Sequence, residues 1–204
     1  MKRLQEIAEE ISRGGAVVGG ALLLVASLAI CLDIFLRYTF SLTIGGADDL
    51  SGYALAISSA WGFSAALLSR GHIRIDTVYV RVKSKAARAA LDLLSLSCLG
   101  VFAGLIAWYG WGVLSLSWAS DSHSQSAIEM PLIFPQGLWF AGLAFFVAVV
   151  LLLLARSVAA CAKGDLDGLF RLIGSKSAVA EAEEEIKSIE HAMEEAKKLQ
   201  DRKP

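Results

Sequence analysis

The sequence predicts an all-α integral membrane protein with four transmembrane helices, both termini cytoplasmic, a short amphipathic N-terminal helix and a charged helical tail. Three observations predict this fold. The chain has 204 residues, of which 55% are hydrophobic and 19% are charged, whereas soluble domains carry about 25% charged residues. The charges are concentrated outside four apolar stretches, each long enough to cross about 30 Å of hydrocarbon. The basic residues are also distributed unequally among the connections between these stretches.

The four apolar stretches are the expected membrane spans. Since unpaired backbone polar groups are not tolerated in lipid, each stretch should be a helix. The first stretch is longer than the apolar core of a signal peptide, which has about 7–15 residues, so we expect it to remain uncleaved. The stretches run from Gly14 to about Leu36, from about Leu50 to Ser69, from Ala89 to about Trp118, and from about Leu132 to Ala155.

The segments at the two ends have their own patterns. Residues 1–13 place Leu4, Ile7, Ala8 and Ile11 on one face, which is typical of an amphipathic helix at a membrane surface. A docking site for a partner is the alternative use of this face. After the transmembrane domain at 14–160, glycines and charges indicate a linker at 161–175. The tail at 176–204 carries a weak heptad pattern, which fits either a solvated charged helix or a coiled coil.

The basic residues predict the orientation in the membrane. Of the 19 lysines and arginines, three lie within residues 1–13, six between Arg70 and Arg88, and nine from Arg156 onward. The connections at 38–49 and 119–131 contain none. Because cytoplasmic loops carry the excess of basic residues, both termini and the middle connection should be cytoplasmic. The one remaining basic residue is Arg37, which falls at the outer side of the membrane.

The sequence contains no pattern that indicates catalysis or a bound cofactor. Its histidines, at 72, 123 and 191, and its cysteines, at 31, 98 and 161, lack the spacing of metal ligands or of a disulfide framework. Phosphate-binding loops and nucleophile motifs are absent from the sequence as well. We therefore expect a protein that is not an enzyme, carries no cofactor or metal and does not bind nucleic acid.

The ionisable residues at the outer boundary are the first candidates for a functional site. Asp33 and Arg37 are four residues apart with the acid first, the order that favours an ion pair on a helix. A charge at mid-bilayer costs about 2.5–3.5 kcal/mol, so Arg37 should have a partner, which Asp33, Asp48 or Asp49 could supply. We interpret this group as a structural brace between the first two helices.

Other residues suggest how the helices end and how they pack. Gly71 suits a C-cap of the second helix. Gly19-Gly20 and the Gly100–Gly104 pair could allow close approach of helices. Trp108 and Trp111 lie one turn apart inside the third span, where they could pack against another helix or face lipid; the sequence leaves both open.

Three segments resemble one known family. The first is residues 33–40, in which Arg37 matches an arginine of the family. The second runs from Ala47-Asp48-Asp49 to the sequence Gly-His-Ile-Arg-Ile-Asp at 71–76. The third is residues 131–142, where Pro131, Pro135 and Gly137 open the fourth helix. Together they resemble the DctQ-like small membrane subunit of tripartite ATP-independent periplasmic (TRAP) transporters over residues 14–155. The family often has Trp and two glutamates where this chain has Ala47 and two aspartates.

The resemblance implies a heteromeric importer in the inner membrane of a bacterium. In that family a periplasmic solute-binding protein delivers an organic acid or similar solute, and a large membrane transport subunit moves it by symport with sodium. The small subunit would brace the large one in the lipid bilayer and help to dock the binding protein. The alternative from the residues alone is a homo-oligomeric channel assembled by the tail, which the scarcity of mid-span charges disfavours. The implied interface candidates are Asp33, Arg37, Asp48, Asp49, Gly71, His72, Asp76, Pro131 and Pro135.

Overall fold

The computed structural model describes residues 2–69, 82 and 84–173, which form five α-helices. The predictions for Gly71, His72, Asp76 and the tail at 176–204 fall outside these residues. Within the described part of the chain there is no strand, and one isolated antiparallel bridge joins His123 to Pro131. The helices are α1 (Lys2–Phe40), α2 (Ala47–Leu68), α3 (Lys85–Ala119), α4 (Ile133–Ala162) and α5 (Leu166–Ile173).

Three of these helices are long and apolar enough to cross a membrane. They are α1 from Arg3, α3 and α4, with 38, 35 and 30 residues respectively. At a rise of about 1.5 Å per residue, each exceeds the roughly 30 Å thickness of the hydrocarbon core. The all-helical, membrane-type fold predicted from the sequence is therefore confirmed, with three candidate spans.

The second helix, α2, is the one long helix of the described residues that is not among these candidate spans. It has 22 residues, which corresponds to about 33 Å, but serines and glycines interrupt its apolar residues. Ser58 and Ser64 are buried against neighbouring helices. A helix that packs on both sides needs small residues for close approach more than it needs apolar surface for lipid. This position in the fold accounts for the serines and glycines of α2.

Two segments differ from the sequence prediction in their local structure. Residues 2–13 do not form a separate short helix, because α1 continues through Gly14 and Gly15 without interruption as far as Phe40. Part of the segment predicted as a linker is helical, since α5 covers Leu166–Ile173. Leu169 and Ile173 are one turn apart and buried, and α5 packs on α4 and α3. This apolar stripe, which the surrounding glycines and charges obscured, explains the helix.

The long helices pack in the order α1, α2, α4, α3. Trp61 of α2 lies at the centre of this row. A Cβ atom added at Gly15 of α1 would come within 2.7 Å of the Trp61 ring, and one added at Gly142 of α4 would also come within 2.7 Å. The indole N–H donates to the Leu138 carbonyl at 3.1 Å. Glycines on both neighbours therefore make the space that this large side chain fills.

The structure distinguishes between the glycines that the sequence suggested for close packing. A Cβ atom at Gly19 would lie 2.9 Å from Ser58 Cα, whereas one at Gly20 would meet nothing within 4 Å. Gly100 faces Val150 of α4, and Gly104 faces open space. One glycine of each pair thus lies at a close helix–helix contact, and the other does not.

The end of α2 is capped by a serine. The helix stops at Leu68, and Ser69 occupies the C-cap. The Ser69 backbone N–H donates to Ala65 O at 2.9 Å, and its hydroxyl donates to Ala66 O at 3.1 Å. A serine with helical backbone angles can bond these last carbonyls without the left-handed conformation that favours glycine.

Candidate partner-binding surface

The candidate site lies where α1 ends, α2 begins and α3 connects to α4. We call this the outer end, because the distribution of basic residues predicts that it faces away from the cytoplasm. Two connections form it, residues 41–46 between α1 and α2 and residues 120–132 between α3 and α4.

Asp33 fixes the first connection to α1. Its Oδ1 atom accepts hydrogen bonds from the Ile44 backbone N–H at 2.6 Å and from the Thr43 hydroxyl at 2.9 Å. Its Oδ2 atom accepts from Arg37 Nη2 at 2.7 Å. Asp33 is only 4% exposed, and a buried carboxylate is tolerated when donors surround it. The connection therefore folds back over the end of its own helix.

Arg37 pairs with Asp33 and does not reach the acidic pair at the start of α2. Its side chain is 63% exposed, and Nη2 also lies 3.4 Å from the Thr43 hydroxyl oxygen. Of the three partners that the sequence offered, the structure brings only Asp33 to Arg37. The ion pair joins α1 to the following connection rather than to α2 itself.

The two connections interlock through glycines. Gly45 and Gly46 have φ angles of 64° and 103°, which glycine adopts more readily than other residues. A Cβ atom at Gly45 would lie 2.9 Å from the Ala127 side chain, and one at Gly46 would lie 2.7 Å from Ile128. Side chains at either glycine would push the second connection away.

Asp49 completes the contact between the connections. Its carboxylate accepts a hydrogen bond from the Ser124 hydroxyl, and the Ser124 and Ser126 hydroxyl oxygens are 2.8 Å apart. These hydroxyls, Ser124 first, hold the pKa of Asp49 below its ordinary value, because they stabilise the charged form. Asp49 thus stays ionised and links the start of α2 to the α3–α4 connection.

The remaining site candidates surround this contact. Asp48 is exposed, and its backbone carbonyl accepts from the Ser51 hydroxyl. Pro131 pairs with His123 in the isolated bridge, and Pro135 is buried in the first turn of α4, where a missing N–H is tolerated. A hollow of about 500 Å³ opens beside Asp49, lined also by Tyr53, His123, Ser124, Gln125, Ser126 and Leu132.

Sequence reasoning missed Thr43, Ile44, Ser124 and Ser126. The available signal was the alternation of serines at 120, 122, 124 and 126, in a connection that carries no basic residue. Alternation can present hydroxyls to one side of a connection, and here Ser124 and Ser126 face Asp49. The donors to Asp33 could not be identified, because they depend on how the first connection folds back.

The exposed side chains of this surface are mainly acidic. The described residues include no group of three or more His, Cys, Asp or Glu side chains that could hold a metal ion. Asp48 in the first turn of α2 and Asp121 and Glu129 on the α3–α4 connection are exposed carboxylates. Among the described residues of this end, the one Lys or Arg side chain is Arg37, which pairs with Asp33. The outer end is therefore an acidic surface held rigid by hydrogen bonds.

Comparison with known proteins gives one family. The sequence model for the DctQ component of the tripartite ATP-independent periplasmic transporters matches residues 15–160. Neither the curated proteins nor the solved structures contain a match. The matched range includes the four long helices except for the N-terminal part of α1 and the last two residues of α4, and both connections of the outer end.

Proposed function

Because the chain belongs to the DctQ component family of the tripartite ATP-independent periplasmic transporters, we propose that it braces the large transport subunit and helps to dock the solute-binding protein. The family is a transporter component, and its members work within a complex of three proteins. The single observation that carries the proposal beyond the family is the interlocked, acidic outer end supported by a row of packed helices.

We propose that α2 is the fourth span, so that both termini are cytoplasmic. Its length of about 33 Å is sufficient, and its position between α1 and α4 keeps its serines largely away from lipid. An even number of spans agrees with the basic residues before α1 and after α4. Cysteine labelling in intact cells tests this topology: a cysteine at Ser122 should react with an impermeant reagent, and one at Ser84 should not.

The face that would meet the large subunit is on α3, at one edge of the helix row. Trp108 is 77% exposed, and Tyr109 is also exposed. Trp108 lies ten residues before Trp118, which corresponds to about 15 Å along the helix, far from the interfacial zone where lipid-facing aromatics concentrate. Large aromatic rings at such a depth are suited to helix–helix contact with a partner.

The surface that would meet the binding protein is the acidic outer end. Its exposed carboxylates, Asp48, Asp121 and Glu129, would attract a basic patch and accelerate association. The hydrogen bonds of Asp33 and Asp49 would preserve the shape of this surface, which lowers the entropy lost on docking.

The transport path itself would lie in the large subunit. The mid-span segments of this chain contain few ionisable groups, whereas ion-coupled transport requires polar groups near the centre of the membrane. Sodium coupling and an organic-acid substrate would then be properties of the assembled importer in the bacterial inner membrane.

Planar bilayer recording separates this proposal from a homo-oligomeric channel. The purified chain alone is expected to give no reproducible unitary conductance in sodium chloride. A defined conductance that is retained across preparations would contradict the accessory role. The control is the same chain with Gly19→Ala and Gly142→Ala, which disrupt helix packing. This control separates leakage through damaged protein from conduction through a pore of the native fold.

A further inference from the structure

A hollow of about 590 Å³ lies between α1 and α2 at the end opposite the outer end. The residues that line it combine both signs of charge, two hydroxyls and an apolar wall. They are Glu9, Ser12, Arg13, Ala16, Val17, Ala65, Leu68 and Ser69. The predicted orientation puts this hollow at the cytoplasmic boundary of the membrane.

The two charges of the hollow do not neutralise each other. Glu9 and Arg13 are four residues apart with the acid first, the spacing and order that favour an ion pair on a helix. In the described part of the chain, however, the only hydrogen bond to the Glu9 carboxylate comes from Gln5 Nε2, at 2.7 Å, and no ion pair joins it to Arg13. A carboxylate and a guanidinium therefore remain available on the same rim.

Ser12 supplies a buried polar group among the residues that line the hollow. The residue is 1% exposed, and its hydroxyl has no hydrogen-bond partner among the residues described. A buried hydroxyl without a partner costs free energy, so a ligand that bonded to it would gain by satisfying it. This hydroxyl lies in the sequence directly beside Arg13.

The opposite wall favours a positive group. Helix α2 ends at Leu68, and the carbonyls of a last turn carry a partial negative charge. The Ser69 hydroxyl donates to Ala66 O and keeps lone pairs that can accept. Below the rim, Ala16, Val17, Ala65 and Leu68 give an apolar surface that continues into the membrane-spanning part of α1.

We propose that this hollow binds the headgroup of a phosphatidylethanolamine-type phospholipid. The ammonium group would donate to the Glu9 carboxylate and to the end of α2. The phosphate would accept from the Arg13 guanidinium and the Ser12 hydroxyl. The acyl chains would lie along Ala16 and Val17. The bound lipid would fill the gap between α1 and α2 where their packing is open.

The arrangement distinguishes among the common phospholipids. Phosphatidylcholine carries a trimethylammonium, which has no N–H to donate to Glu9. Phosphatidylglycerol has no cation and would leave Glu9 unpaired beside a phosphate. A purely basic site would instead prefer the anionic lipid, so the lipid preference tests the role of Glu9 directly.

Native mass spectrometry of the full chain from nanodiscs tests the proposal. The nanodiscs contain equal parts of the three phospholipids, and the released chain should retain one phosphatidylethanolamine molecule. We expect an enrichment of about threefold to tenfold over phosphatidylcholine, because charge-assisted hydrogen bonds at a partly exposed site contribute that much selectivity. Glu9→Gln should lower this enrichment, and Arg13→Gln should lower the retention of every phospholipid. Glu10→Gln and Arg3→Gln, on the same helix outside the hollow, are the matched controls.

The outcomes are distinct. Retention without preference, or a preference for phosphatidylglycerol, would overturn the proposal, and so would equal enrichment in Glu9→Gln and Glu10→Gln. Should a variant be poorly folded, Ser12→Ala supplies a second test: it removes no charge and should still reduce phosphatidylethanolamine retention. Unchanged retention in both Ser12→Ala and Arg13→Gln would equally contradict the site.

Discussion

The Ile44 backbone N–H donates a 2.6 Å hydrogen bond to Asp33 Oδ1, so a residue of the first connection is fixed to the helix that precedes it. Thr43 adds a second bond to the same oxygen atom, and Arg37 bonds to the other oxygen. Asp33 thus organises three donors, whereas the Arg37 guanidinium bonds a single carboxylate and is mostly exposed.

Asp33→Ala should therefore damage the protein more than Arg37→Ala. The first change leaves three donors without their acceptor, whereas the second leaves two of the three hydrogen bonds to Asp33 intact. We expect lower thermal stability in detergent and less binding of the solute-binding protein in the order wild type, Arg37→Ala, Asp33→Ala. Melting curves and surface plasmon resonance measure the two effects. Equal losses of stability and binding in both variants would mean that the Asp33–Arg37 ion pair, and not the hydrogen bonds from Asp33 to the first connection, stabilises the outer end.

Gly19→Ala should destabilise the contact between α1 and α2. The added methyl group would lie 2.9 Å from Ser58 Cα, a backbone atom that cannot move independently, so we expect a loss of about 1–3 kcal/mol. Gly20→Ala is the control, because its methyl group meets nothing within 4 Å. Unfolding by sodium dodecyl sulfate measures both variants. Equal stability of the two would contradict the close contact between α1 and α2 at Gly19.

The contact between Asp49 and Ser124 should be stable at neutral pH and lost only in acid. The serine hydroxyls lower the pKa of Asp49 below its ordinary value. The stabilisation is therefore present above the ordinary aspartate value and disappears as pH falls through the lowered one. Ser124→Ala removes the main donor and should raise the pKa towards its ordinary value. Carbon-13 NMR of the labelled carboxylate measures it, and an unchanged pKa in Ser124→Ala would contradict the contact.

Trp108→Ala should weaken association with the large subunit without reducing the stability of the chain alone. Its ring is exposed, so its removal leaves no cavity in the fold. A tryptophan at an interface hot spot contributes about 2 kcal/mol or more, which corresponds to a loss of about 30-fold in affinity. Leu28→Ala on the exposed face of α1 is the control at the other edge of the row. The fraction of the large subunit that copurifies with each variant measures the association. Equal retention by wild type and Trp108→Ala would place the interface elsewhere.

Deletion of residues 176–204 should leave membrane insertion intact. The helices that could cross the membrane end at Ala162, and the compact unit that contains them ends at Ile173. Alkaline extraction of membranes followed by blotting measures insertion. A truncated chain that appears in the soluble fraction would contradict this division of the chain.

The long helices could be predicted because an apolar stretch of sufficient length to cross lipid must pair its own backbone N–H and C=O groups, which a helix does. The expected span from Ala89 to about Trp118 corresponds to α3 at Lys85–Ala119. The other three expected spans also fall within helices, although α2 is not among the candidate spans. The continuity of α1 was missed because residues 1–13 include six charged side chains, although nothing in Gly14-Gly15 forces a helix to stop. Helix α5 was missed because eight residues give a weak periodic signal.

The site was predictable only where its residues lie on one helix. The spacing of Asp33 and Arg37 suffices to bring them together, since four residues make about one turn. The contacts of Asp49 with Ser124 and of Gly46 with Ile128 join residues that are more than 70 positions apart. They depend on the packing of α2 against α4, which no local pattern determines.

Affinity purification of the tagged chain from its native membranes in mild detergent, followed by mass spectrometry, tests the central claim most directly. The account predicts that a larger polytopic membrane protein accompanies the chain in stoichiometric amount. A homo-oligomer that is reproducible across detergents and lacks such a partner would contradict the role of an accessory transporter subunit.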